Sequence, residues 1–130
     1  MPQDFWPNDL INNLPISPKA ILQAQASQLK AKTGGRVVAW VGVRRSRNDD
    51  VIVLDFKLNV PSIDYNYTLA SFSHEVSLFP VADLQNGMAY EDEGSFKGRV
   101  REILSDYSTK KIVRALIVQA EEAGTDEVPF

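Results

Sequence analysis

The sequence predicts an α+β domain: an N-terminal helix, an antiparallel meander of three to four strands, and two C-terminal helices packed on one face of the sheet. Three observations carry this. A capped helical stretch comes first, strand-patterned runs follow one another without an intervening helix, and two helical apolar faces close the chain. Helices segregated from strands in this way belong on one face of an antiparallel sheet. At 130 residues the chain has the size of one domain and buries roughly two thirds of the surface its unfolded form exposes. It contains no cysteine, so no disulfide contributes.

Residues 1–16 carry Phe5, Trp6, Leu10, Ile11 and Leu14 among prolines and asparagines. That is too apolar for a solvated tail, so the arm is expected to pack on the domain, with one helical turn after Asn8. The competing reading makes Phe5 and Trp6 anchors for a partner, because aromatic side chains dominate binding hot spots. In ISPKAILQAQASQLKAKTGG, Ser17 is the N-cap and Pro18 takes the first helical position, where its missing N–H costs nothing. Ile16 and Ile21 stand at the positions of a hydrophobic staple. Leu22, Ala26 and Leu29 continue a narrow apolar stripe, and Gly34 supplies the left-handed stop.

RVVAWVGVRR is apolar on both parities, the pattern of a strand covered on both faces. RRSRNDD is a polar hairpin connection. VIVLDFKLNV alternates, with Ile52, Leu54, Phe56, Leu58 and Val60 on one side and Asp55, Lys57 and Asn59 on the other. In YNYTLASFSHEVSLFPV, Tyr65, Tyr67 and Leu69 share a face before the pattern shifts to Phe72, Val76 and Leu78. Such a shift requires a bulge or bend near Ala70, because a one-residue slip reverses which face each side chain takes. Pro80 ends this strand or forms an edge, and an open edge offers a route to a homodimer.

ADLQNGMAYEDEGS is expected as a loop. Phe96, Val100, Ile103, Leu104 and Tyr107 then lie on one face of a helix from Ser95 to Asp106, with acids at 91–93 where the helix dipole favours them. The last helix, from near Ser108 to Gly124, carries Ile112, Val113, Leu116, Ile117 and Ala120 and is expected at the centre of the core. The domain therefore spans 17–124, preceded by the arm and followed by a loose tail at 125–130.

The net charge of −3 is mild but unevenly spread. The stretch from Asp83 to Glu93 is acidic, with Glu91, Asp92 and Glu93 adjacent, while Arg44, Arg45, Arg47, Lys110, Lys111 and Arg114 are the basic concentrations. The opening MPQDFWPNDL lacks the features of a signal peptide, and no run approaches the roughly 20 apolar residues of a membrane span. A cytoplasmic location without membrane attachment is expected.

Few residues suggest chemistry. His74 is the single histidine; HEVSL begins like a zinc-protease motif, but Leu78 stands where the second ligand belongs. Its parity with Phe72 and Val76 places it toward the core, held by the fold. Asn66-Tyr67-Thr68 fits a glycosylation acceptor yet lies inside a strand. Ser108-x-x-Lys111 and Lys32-Thr33-Gly34 occur in the wrong order for a penicillin-binding enzyme, and the S-D-N element is missing. Asp49-Asp50 and Glu91-Asp92-Glu93 lack the alternate spacing of a calcium loop. No cofactor or metal is therefore expected.

The order helix, three strands, helix resembles a double-stranded-RNA-binding domain. In STKKIVRALIVQA that resemblance implies Lys110 and Lys111 on phosphate. The chain departs from it by an additional helix and by a sequence pI of about 5.1. The leading expectation is a non-catalytic protein-interaction module, of the size and character of a small bacterial immunity or antitoxin-type protein, secretion chaperone or adaptor. Its partner-binding residues are expected among Phe5, Trp6, Asp83, Glu91, Asp92 and Glu93. The alternative is RNA binding through Arg44, Arg45 and Arg47 with Lys110, Lys111 and Arg114. A third reading is an enzyme with a pocket near His74.

Overall fold

Ser17 caps the first helix by accepting the N–H of Ala20 on its Oγ at 3.0 Å, and α1 runs Pro18–Lys32. The coordinates, a computed structural model, describe residues 3–46 and 50–125. After α1, Gly34 and Gly35 take left-handed backbone, with φ of +61° and +80°. The buried Thr33 hydroxyl donates to the Val37 carbonyl at 2.8 Å, which fastens the helix end to the first strand.

The strands are β1 (Val38–Arg45), β2 (Ile52–Val60), β3 (Tyr65–His74), β4 (Val81–Asp83) and β5 (Ala89–Tyr90), with a single 3-10 turn at Pro61–Ile63. They form one antiparallel sheet in the order β1-β2-β3-β4-β5. Two helices follow, α2 (Glu93–Ser105) and α3 (Tyr107–Thr125). The α+β architecture stands, with one or two more strands than the meander expected from sequence. The hidden pair lay in ADLQNGMAYEDEGS. There, Gly87 in left-handed backbone and the Asp83 carboxylate bonded to the N–H groups of Gln85 and Asn86 close a short β4–β5 connection.

All three helices share one core with the Leu54, Phe56, Leu58 and Val60 face of β2. α1 contributes Ile21, Leu22 and Ala26, and α3 contributes Leu116 and Ala120. The deepest aromatic is Phe96 of α2, fully buried, with the Phe72 ring edge-on at a centroid distance of 5.1 Å. α2 therefore takes the central place expected of α3, whose Val118 is exposed. α2 begins two residues before the expected Ser95, because Asp92 and Ser95 form a reciprocal capping box.

The expected bend is present. Phe56 pairs with Ala70 and Lys57 with Thr68, so Leu69 is the extra residue of a β-bulge. The bulge restores phase: Tyr65 and Tyr67 before it, and Ala70, Phe72 and His74 after it, all pair with the core-facing residues of β2.

Two expectations about edges change. β1 is an outer strand rather than one covered on both faces, and Trp40 is exposed. Its second apolar parity is met by neighbours on the open sheet face: Trp40 Nε1 donates to Asn66 Oδ1 at 3.3 Å, and the Lys57 ammonium lies 5.3 Å from the ring centroid. Nor does Pro80 leave an edge, because the next three residues pair with the end of β3 as β4.

Candidate functional site

Between α1 and α2 lies an open groove of about 480 Å³. Its α1 wall is made by Ala20, Ile21 and Ala24, with Ile16 at the entrance. Ala20 and Ala24 fall four apart on one helix face, and their short side chains leave the hollow. The α2 wall repeats that spacing twice, with Val100 and Leu104 as apolar floor and Lys97 and Arg101 as basic rim. Lys97 is shared with Glu93 at 3.7 Å. Among the described residues no acid pairs with the exposed Arg101 guanidinium. An apolar trough with positive charge on one lip suits an apolar segment that carries acids.

A second groove of about 380 Å³ lies where the α2–α3 junction faces the bulge, lined by Tyr67, Gln85, Arg99, Glu102 and Asp106. It is the more polar of the two, yet its charged groups and Gln85 are engaged by the fold. Arg99 Nε donates to Asp83 at 2.7 Å and Arg99 Nη1 to Glu102 at 2.7 Å. Gln85 Nε2 donates to the Leu69 carbonyl at 2.9 Å, and Asp106 accepts the N–H and hydroxyl of Ser108 at the start of α3.

The arm does not pack on the domain. Phe5 is 86% exposed, Trp6 73% and Ile11 81%. Its prolines and asparagines interrupt helical periodicity, and its described residues form no helix or strand. Its local order is a turn in which the Asn12 N–H donates to the Asp9 carbonyl at 3.1 Å, together with an Asp4 carboxylate that accepts the Trp6 N–H at 3.0 Å.

The acidic residues divide. Asp83, expected at a partner surface, is completely buried and paired with Arg99, so it is a framework residue. Asp92 caps α2, and the Ser95 N–H and hydroxyl hold its carboxyl below the ordinary range. Glu93 is half-buried beside Lys97, which leaves Glu91 exposed.

The basic residues do not converge. Arg44 turns to the open sheet face, where its Nε donates to Asp55 at 2.9 Å. Arg45 pairs with Asp50 at 3.0 Å, and Arg47 lies outside the described residues. Lys110, Lys111 and Arg114 are exposed on α3, in the helical layer on the other side of the sheet.

His74 is buried, with Nδ1 2.7 Å from the Glu75 carbonyl. A carbonyl oxygen can only accept, so the proton sits on Nδ1. Asn66 of the glycosylation-like triplet accepts from Trp40 and from Asn59. Among the described residues no three His, Asp or Glu side chains gather to hold a metal ion, and no helix is long and apolar enough to cross a membrane.

Sequence reasoning missed the α1–α2 groove. Its traces were the alanine pair at 20 and 24 and the Lys97–Arg101 pair, but spacing within one helix does not reveal which helix lies opposite. Comparison with known proteins found no matching family, no matching curated protein and no matching solved structure.

Proposed function

We propose that the chain is a non-catalytic protein-binding module whose α1–α2 groove receives an apolar, acid-bearing segment of a partner protein. The observation that carries this reading is Arg101, which no acid among the described residues pairs with, beside the trough of Ala20, Ala24 and the half-buried Leu104. A basic lip beside apolar surface is complementary to an apolar ligand that carries acids. The engagement of polar side chains in the second groove, and of His74 with its own backbone, also favours binding over catalysis. The small size and mild charge suit the class of immunity proteins, secretion chaperones and adaptors.

The test is a photo-crosslinking amino acid placed at Ala24 in the groove and, separately, at Lys57 on the open sheet face. Crosslinking in the native host should yield one protein adduct from position 24 and none from position 57. Adding Arg101→Glu should abolish the adduct. Equal labelling from both positions, or labelling of nucleic acid from position 24, rejects the reading.

A further inference from the structure

We propose that the segment held by the groove is the N-terminal arm of a second copy of this chain, exchanged reciprocally to make a dimer. This rests on the reading of the α1–α2 groove as a docking site for an apolar, acidic segment.

The arm has the chemistry that the groove lacks. Residues 1–16 contain Asp4 and Asp9 and no lysine or arginine, set among Phe5, Trp6, Leu10, Ile11 and Leu14. All five of those apolar side chains are exposed. The groove offers the apolar floor of Val100 and Leu104 and the positive lip of Lys97 and Arg101. Acid-bearing apolar arm and basic-rimmed apolar trough are complementary in both respects.

Within one copy the arm leaves its own groove open: only Ile16 reaches the entrance, and the side chains of Phe5, Trp6, Leu10, Ile11 and Leu14 stay exposed. The groove wall is built from the first turns of α1, so an arm serving its own copy must fold back close to Pro18. That segment is stiff. Leu14 and Ser17 each precede a proline, which restricts them to extended backbone, and Ser17 has φ −74° and ψ 155°. Beyond the turn at Asp9–Asn12 and the left-handed Asn13, residues 3–8 span at most about 20 Å, so the arm reaches a closely apposed neighbour.

Exchange across a two-fold axis gives two identical arm–groove contacts, the closed and self-complementary arrangement of most dimers. Phe and Trp bury about 150–250 Å² each. The four rings of two arms therefore bury at most roughly 600–1,000 Å², below the roughly 1,200–2,000 Å² of a standard interface, which matches a dimer that dissociates on dilution.

The test is the solution mass of the intact chain, measured by light scattering across a dilution series. The wild type should have twice the 14.5 kDa chain mass and dissociate on dilution. Ile11→Asp with Leu14→Asp, on the exposed arm, should halve the mass without altering the circular dichroism spectrum. Ala24→Glu, an exposed position that places an acid in the trough, should do the same. An equimolar mixture of the arm variant and the groove variant should recover dimers, because one intact arm still meets one intact groove. Asp9→Arg should also give a monomer, and adding Arg101→Glu should restore the dimer.

A monomer at every concentration overturns the proposal, as does a dimer indifferent to both sets of variants, the result expected of pairing through the β1 edge. A monomer that still yields the crosslinked partner from position 24 refutes arm exchange while the groove keeps its role. Loss of both refutes the two readings together.

Discussion

Arg99 reaches back from α2 to place its Nε 2.7 Å from Oδ2 of Asp83, a carboxylate with no exposed surface. The other oxygen of Asp83 accepts the N–H of Gln85 at 2.8 Å, and the Gln85 side chain donates to the Leu69 carbonyl at the bulge. One line of polar contacts thus ties the β3 bulge, the β4–β5 turn and α2 together. Each link gives a buried group the partner that water cannot supply.

Asp83→Ala should therefore be strongly destabilising. Breaking a buried ion pair by removing one partner costs about 3–5 kcal/mol. The loss should fall near the lower end, because Arg99 keeps Glu102 at 2.7 Å. Urea unfolding checks the magnitude. Asp83→Leu combined with Arg99→Met should recover part of it.

Phe96→Ala should open a cavity among Phe72, Phe79 and the β2 core face and cost about 3–5 kcal/mol. Val118→Ala, at an exposed position on α3, should stay within about 0.5 kcal/mol of wild type. Parallel thermal or urea unfolding distinguishes the two. Similar losses at both positions contradict the assigned core.

Ser17→Ala removes the side-chain acceptor for the Ala20 N–H and should cost about 1 kcal/mol. Ser17→Asp should be close to neutral, because a carboxylate at the N-cap accepts the same bond and meets the helix dipole favourably. The two variants are compared by urea midpoint.

Acid should weaken the fold in a window set by Asp55 and Asp92. The Arg44 hydrogen bond holds the Asp55 carboxyl below its ordinary value, with burial opposing and the Ser71 hydroxyl assisting. The folded-state pKa lies below the unfolded value of about 3.9, so the unfolded chain takes up the proton first as pH falls. The contribution is fully present above about pH 4 and is lost as pH drops through the folded value. Asp55→Asn should lower the urea midpoint at neutral pH and flatten its decline below about pH 4. An unchanged decline assigns the acid sensitivity to other carboxyls.

Local chemistry was legible in the residues themselves. Ser17-Pro18 and Gly34 mark the ends of α1 within a few residues, because caps and left-handed stops act over one turn. The phase break before Phe72 located the bulge to within one residue, since a period of two tolerates no silent insertion. By contrast, the β4–β5 connection read as loop because its strands are three and two residues long, too short to show a period.

By itself, then, the sequence determined the order of the three helices and the three long strands, the α+β class, the core-facing side of β2 and the place of His74 as a residue held by the fold. Those follow from side-chain periodicity and capping, which are properties of neighbouring residues. Tertiary structure alone decided that Asp83 is buried while Glu91 is exposed, that Arg44 and Lys110 lie on opposite sides of the sheet, and that the arm stays unpacked. It also decided that two alanines on α1 meet Val100, Arg101 and Leu104 on α2 across a groove. Periodicity states which face of an element is apolar; which other element covers that face, and how completely, depends on contacts between residues far apart in the chain.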